Sequence, residues 1–502
     1  MIYDYVIVGA GSAGCVLANR LSEKGSVLLL EAGPKDSNLW IHVPLGYGKL
    51  FSRTDVNWAY ESEPEPALNG RRIFTPRGKV LGGSSSINGL VYIRGQPQDY
   101  DAWCIAGWDF AALRPYFEKA EAQLKISDLE RHEICDAFID AAAALGIPRN
   151  ADFNGPSQEG TGYYRATTHR GRRRSTAAAY LRPAWNRPSL RVETNALVSR
   201  ILFDGKRAVG VEYQQNGKKQ ARGNEIIVAG GAFNSPQLLE LSGIGSGKRL
   251  QELGIPVLHD APQVGERLQD HFYARTFWRC CKPLTLNDDM ASLWRQARIG
   301  LKYLLFKGGP LTVAAGHAAA FIRTRPELQR PDAQIYFINF STARRGGVLH
   351  AHSGFTCSVS QLQVESRGSV HIRSADPKAP PAIRYNYLDT ENDRRVMVEG
   401  LKFVRRICAT PPMRDYVTDE FLPGDKVKTD EDWLAYCREM GETVFHPTST
   451  CSMGTVVDEE LRVKGVNNLR VVDASVMPAV PSGNINAAVI AVAEKAADMI
   501  RT

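Results

Sequence analysis

Long apolar runs are missing from this chain. No stretch of about 18 consecutive apolar residues occurs, so no helix is expected to span a membrane. The first apolar run carries Asp4 and leads into a glycine pattern, so it reads as a buried strand and not as a secretory leader. Paired cysteine spacing is missing too. There are nine cysteines, an odd number, and Cys280 and Cys281 are adjacent, without the two-residue gap of a zinc knuckle or redox pair. Free thiols and a cytoplasmic location are the expectation, with no metal site. A large charge excess is also absent: 62 Lys and Arg against 54 Asp and Glu give +8, too mild over 502 residues to argue for a nucleic-acid partner. There is no G-x-S-x-G elbow for a serine nucleophile, no internal repeat and no low-complexity tract. What is present is a globular composition, 43% hydrophobic and 23% charged, on a chain long enough for two domains or one large domain with insertions.

The segment YDYVIVGAGSAGCVLANRLSEKGSVLLLEAG predicts a strand over Tyr5 to Val8, a helix over Cys15 to Ser22 and a second strand over Val27 to Leu30. Gly9, Gly11 and Gly14 form G-x-G-x-x-G in the strand–turn–helix context that gives this spacing meaning. Gly9 makes the turn, Gly11 admits a pyrophosphate to the helix N-terminus and Gly14 permits close helix–strand packing. Glu31, ending the second strand, is placed to accept hydrogen bonds from ribose hydroxyls, which argues against a 2′-phosphate. FAD and NAD both carry the ADP half and stay open on these residues.

A second glycine block, TPRGKVLGGSSSINGLVYIRGQPQDYDAW from Thr75 to Trp103, offers a backbone that can press on a flat ring, with short hydroxyls and an amide as donors. A third, GGAFNSPQLLELSGIG, spans Gly230 to Gly245. These blocks resemble the two signature motifs of the glucose-methanol-choline (GMC) family of FAD oxidoreductases, in the manner of its choline dehydrogenase and aryl-alcohol oxidase members. Similar stretches follow in order: VGERLQDH (Val264 to His271), SRGSVHIRSADP (Ser366 to Pro377) and NLRVVDASVMPAVPSGNINAAVIAVAEKAADMI (Asn468 to Ile500). The resemblance implies FAD, with Gly9, Gly11, Ser12, Gly14, Glu31 and Ala32 at the ADP positions. Gly83, Ser84, Asn88 and Val91 fall beside the flavin and ribityl chain, Val198 at the adenine, and Asp473 and Ala474 at late pyrophosphate and ribityl contacts. Asn484 and Ala487 are included among the cofactor positions. Some members attach FAD through a histidine just before the asparagine of this block; Ile87 stands here, which implies non-covalent FAD.

The implied fold is α/β, α+β overall: a Rossmann-like FAD-binding domain built from residues 1–155, 187–262 and 440–502, a lid or connection at 156–186, and a sheet-containing substrate-binding domain at 263–439. Within the last, strands are expected over Ala333 to Phe340 and Phe355 to Val364, and a helix over Ser292 to Phe306. That helix mixes Arg and Lys with apolar residues, so a membrane-surface role is conceivable, but its spacing favours ordinary packing. The basic run HRGRRRST (His169 to Thr176) reads as a solvated loop or domain contact rather than an anion site.

The stretch ETVFHPTSTCSMG holds His446. From the residues alone it is a metal ligand with Cys451, a hydrolase base, a proton acceptor or a packed imidazole. The resemblance implies the third: His446 takes the hydroxyl proton of a primary alcohol while hydride goes to flavin N5, giving an aldehyde, with electrons passed on to O2 or a quinone-type acceptor. It places Asn486 as the amide partner, with Asn484 as the alternative, and a helix beginning near Ala487 aimed at the flavin ring. Two other activities fit the same scaffold: a cyanohydrin-cleaving lyase, and a fatty-acid photodecarboxylase drawing on Cys357 and Arg367. Substrate identity would rest on side chains such as Tyr336, Phe337 and Phe340, and Phe445 stands where an aromatic guides oxygen in oxidases of the family and where dehydrogenases also carry apolar residues, so the acceptor stays open.

Overall fold

Residues 1–343 and 347–501 are described by a computed structural model. β1 (Ile2–Val8), α1 (Ser12–Leu21) and β2 (Val27–Leu30) form the N-terminal unit. β1 starts earlier than the apolar pattern indicates because Ile2 and Tyr3 already pair with Arg222 and Gly223. The helix also starts earlier, directly after Gly11, so its first turn lies against the glycine loop.

The first sheet has seven strands. Leu190–Glu193, β2, β1 and Lys218–Val228 are parallel in that order, and Leu469–Val471 adds in parallel to the last of them. Lys218–Val228 serves two environments. Its first half is exposed except at Ala221 as it pairs antiparallel with Arg207–Gln214, whereas Ile226 to Val228 are buried between parallel strands. The adjoining strand Leu197–Asp204 carries Val198.

The second sheet also has seven strands. Its centre is Phe272–Cys280, Gly354–Gln361, Ala333–Ile338 and Ala318–Ile322, all antiparallel. The outer strand Gly160–Tyr163 comes from the stretch expected to be a connection, and Glu442–Thr443, from the last cofactor segment, pairs with Phe272 and Tyr273. One face packs on the helix Glu391–Ala409; Cys357 and Phe337 lie on this side, in a core with Phe138 and Phe355. By the two-residue period of a strand, Tyr273, Arg275, Tyr336, Ile338, Thr356 and Ser358 face the other way, where all six line a cavity. Tyr336 and Phe340 therefore border the cavity while Phe337 does not, a facing that composition alone leaves open.

Candidate active site

A cavity of ≈ 670 Å3 lies between the two sheets. At one end are Gly9, Gly11, Ser12, Glu31, Ala32 and Val198. Gly9 N–H donates to Leu30 O at 2.8 Å, and its φ of +101° closes the turn. A Cβ on Gly11 would meet nothing nearer than Ala229 O at 4.0 Å, so the space over this backbone belongs to the cavity. Glu31 accepts from Ala10 N at 2.8 Å and Gly33 N at 2.9 Å, one bond per carboxylate oxygen, which leaves lone pairs on both. Burial pushes its carboxyl up to about 7.

The second glycine block is bound to the first. Gly82 N–H donates to Ala10 O at 2.8 Å, and a Cβ on Gly83, whose φ is +51°, would lie 2.6 Å from Gly11 Cα. Ser84 Oγ accepts from Arg77 at 3.0 Å and from Gly78 N at 3.2 Å, and Asn88 Oδ1 accepts from Arg173 at 2.7 Å. Gly83, Ser84, Asn88, Val91, Asp473 and Ala474 all line the cavity. Asp473 accepts from Gly231 N at 2.8 Å and Ser475 N at 2.8 Å, tying the third glycine block to the last segment. Two expected cofactor positions are not in the lining. A Cβ on Gly14 would lie 1.9 Å from Gly9 O, so this glycine lets α1 approach its own loop, and Ala487 is buried among core residues.

At the other end stands His446, buried but facing the cavity. The strand-like run stops at Thr443, and Phe445 takes a φ of +70°, which turns His446 out of the strand path. That turn is held on three sides. Phe445 N–H donates to Thr443 Oγ1 at 2.7 Å, Arg77 donates to Phe445 O at 3.0 Å, and His446 N–H donates to Asp270 Oδ1 at 2.6 Å. Asp270 also accepts from Thr443 Oγ1 and the Tyr387 hydroxyl, and burial pushes its carboxyl up to about 6.

The imidazole has a definite neighbour at each nitrogen. His446 Nδ1 is 3.0 Å from His271 Nδ1, and His271 Nε2 is 3.1 Å from Leu362 O. The Leu362 carbonyl only accepts, so His271 carries its proton on Nε2 and presents a bare Nδ1; His446 must then hold its own proton on Nδ1. Burial lowers His271 to about 4, so it stays neutral. His446 Nε2 is left as the lone-pair nitrogen, 3.1 Å from Asn484 Nδ2.

This corrects the expected pairing of His446 with Asn486. Asn486 Oδ1 instead accepts from Ser12 Oγ at 2.6 Å, where the helix Asn486–Arg501 and α1 bring their N-termini together on the cavity wall. Asn486 is the first residue of the helix and Asn484 lies two residues before it, so the two amides point in different directions and the spacing alone does not choose between them. Cys451 is fully buried in the first-sheet core with its thiol pushed well up by burial, away from any ligand role beside His446. Cys357 does not line the cavity; it is buried in the core with Cys408, and Arg367 donates to the carbonyls of Val364, Glu365 and Ser366. The photodecarboxylase reading thus loses both residues it draws on.

The GMC oxidoreductase family models match residues 3–273 and 364–493. The chain belongs to the GMC oxidoreductase family. Mouse mitochondrial choline dehydrogenase is 41% identical over 99% of this chain and 89% of its own length. An alcohol dehydrogenase [acceptor] of Pseudomonas putida is 40% identical over 99% and 96%. An FAD-dependent oxidoreductase from Chaetomium thermophilum superposes with a TM-score of 0.90 at 27% identity, covering 99% of both chains. This GMC oxidoreductase is therefore a flavoprotein enzyme acting on CH–OH donors. The cavity fits the FAD the family implies: a glycine cradle without side chains, an acidic residue with spare lone pairs at one end, and two helix N-termini on the wall.

Four residues of this site were not singled out by sequence reasoning. Asp270 and His271 lie in VGERLQDH, noted only as a family-like stretch, Arg77 sits in the second glycine block, and Arg173 belongs to the basic run. Arg173 is buried and donates to Ile41 O, Ser85 O and both oxygens of Asn88, a domain contact with burial lowering its guanidinium to about 9. The Asp270-His271 dipeptide just before the strand Phe272–Cys280 is the one sequence signal that could have drawn attention to them.

Proposed function

We propose that this GMC oxidoreductase oxidises an uncharged primary alcohol to an aldehyde, with His446 Nε2 as the proton acceptor and Asn484 as the amide that holds the alcohol oxygen. The carrying observation is the polarised arrangement about one imidazole, with His271 on Nδ1 and Asn484 on Nε2. A base must present its lone pair to the hydroxyl, and a neutral His446 with its proton on Nδ1 does so. Asn484 Nδ2 lies 3.1 Å from that lone-pair nitrogen; an alcohol oxygen entering between them would give its proton to Nε2 and accept the amide N–H, which would steady the negative charge building on it. Bound FAD supplies the hydride acceptor. Ile87, a cavity-lining aliphatic residue, offers no nitrogen for a tether, in keeping with non-covalent FAD; acid precipitation should release all flavin to the supernatant.

The uncharged substrate follows from the lining. Among the described lining residues the carboxylates are Glu31 and Asp473, both at the cofactor end and bonded to backbone N–H groups. Among the described residues, the sheet face lining the cavity carries the Arg275 guanidinium, ion-paired to Glu442 at 3.4 Å, along with hydroxyls and the apolar Ile338, and Leu286, Met290 and Leu311 add apolar surface from adjoining helical turns. A quaternary ammonium would enter with no carboxylate among the described lining residues at this end, beside a guanidinium that already engages the nearby Glu442. Anaerobic mixing with a panel of alcohols tests both parts. The expected result is fast flavin bleaching with aliphatic or aromatic alcohols and slow bleaching with choline; faster bleaching with choline would overturn the substrate reading. Admission of oxygen, against addition of a soluble quinone, then identifies the acceptor.

A further inference from the structure

The helix Leu293–Phe306 does not pack as its spacing suggests. Only Ile299 and Tyr303 are buried, while Leu293, Trp294, Leu301, Leu304, Leu305 and Phe306 are 57% to 83% exposed. At about 100° per residue, the first five of these fall within a sector of about 120°. A continuous apolar stripe therefore faces solvent along nearly the whole helix. Arg298 and Lys302 border the stripe on one side, with Arg295 beyond them and Lys307 at the C-terminal end. Lys302 is 3.0 Å from Glu130 and Arg295 is 3.9 Å from Asp289; Arg298 and Lys307 form no ion pair among the described residues.

The position of the stripe gives it meaning. The helix is bracketed by Met290, just before it, and Leu311, shortly after it, and both line the cavity. Ordinary surface chemistry tolerates single exposed leucines, but a clustered patch of this kind marks a docking face.

We propose that this helix seats the protein on an anionic phospholipid bilayer, with the apolar stripe in the acyl boundary and the cavity mouth facing the lipid. The chemistry matches that of an interfacial helix. It has a narrow apolar face, cations along its edge at headgroup depth, and a tryptophan near one end, whose ring is suited to the interface. The docking face needs no acid on the lipid side, and it presents none: the acids near it, Glu130 and Asp289, are turned to Lys302 and Arg295. The claim stands apart from the proposed alcohol chemistry, because binding is read without turnover.

The test uses the FAD-loaded full chain and sucrose-loaded vesicles of phosphatidylcholine with or without phosphatidylglycerol. The expected result is co-sedimentation with the anionic vesicles, reduced by salt and by omission of phosphatidylglycerol. Leu301→Glu/Leu304→Glu/Leu305→Glu is expected to lower binding at least about tenfold, and Arg298→Gln/Lys307→Gln about tenfold on anionic vesicles. Flavin content and oxidation of a water-soluble alcohol should be unchanged in both. If the glutamate variant does not fold, Leu304→Ser/Leu305→Ser serves in its place. Wild-type protein left in the supernatant, or a variant that binds as wild type, overturns the proposal. So does light scattering that shows a dimer broken by the substitutions with no vesicle binding, which would make the stripe a contact between copies.

Discussion

The two ends of the cavity are built in different ways. The adenosine end starts from a local product: β1, the glycine loop, α1 and β2 follow one another in the first 31 residues, and later segments such as Gly82–Gly83 and Val198 pack onto that unit. The His446 end is assembled from remote pieces, with His271 and His446 separated by 175 positions and Asp270 and the His446 backbone by 176. The first end depends on backbone conformation and short-range packing. The second depends on which side chains the second sheet and the Phe445 turn bring to one point.

Substitutions at the two ends should therefore fail in separable ways. The largest effect is expected from His446→Ala, which should slow flavin reduction by about 10²- to 10⁴-fold while FAD stays bound. Near-normal reduction in stopped-flow traces would remove His446 from the chemistry. Next comes the amide pair. Asn484→Ala should cost about 10²-fold in reduction rate, whereas Asn486→Ala should chiefly loosen FAD, because its partner is Ser12. The reverse order, measured by reduction rate and by flavin dissociation, would restore Asn486 as the partner.

His271→Phe should be milder, about tenfold in kcat with little change in KM, since it removes the acceptor that keeps the His446 proton on Nδ1. His271→Asn, which restores an acceptor, should recover part of the loss; failure of both variants to differ would leave His271 with a packing role only. At the adenosine end, Gly83→Ala combines a positive φ with a 2.6 Å approach to Gly11, so melting and FAD affinity should fall together, by about 1–3 kcal/mol, with the reduction rate of the loaded fraction preserved.

The smallest effect is one of pH. Glu31 has a folded pKa of about 7, above its usual 4.5. A raised carboxyl adds stability below its unfolded pKa and loses it as pH rises through the folded value. The melting temperature of the apoprotein should thus decline between about pH 4.5 and 7, and Glu31→Gln should flatten that decline. An unchanged slope in the Gln variant would assign the decline to other buried acids such as Asp270.

Legibility in the sequence followed the same division. Glycine spacing and the flanking strands announced the nucleotide unit because close backbone approach permits few residue types. His446 stood out through its motif, but its partner did not. Asn484 and Asn486 are identical amides two positions apart, and only the start of the helix at Asn486 turns one toward Ser12 and leaves the other beside the imidazole. Asp270 and His271 were visible as letters without a role, because a buried acid and a buried imidazole acquire function only from what lies across the sheet.

The helix Leu293–Phe306 is the opposite case. Its apolar spacing is that of a core helix, and the structure turns the stripe to solvent. Periodicity states that a face is apolar, not what covers it. By itself, then, the sequence determined the nucleotide-binding unit and the family and singled out His446, since these rest on local backbone demands and short motifs. Tertiary structure alone decided which amide lies against His446, the contact between His446 and His271, and the exposed helix face, because each depends on the directions in which distant segments meet.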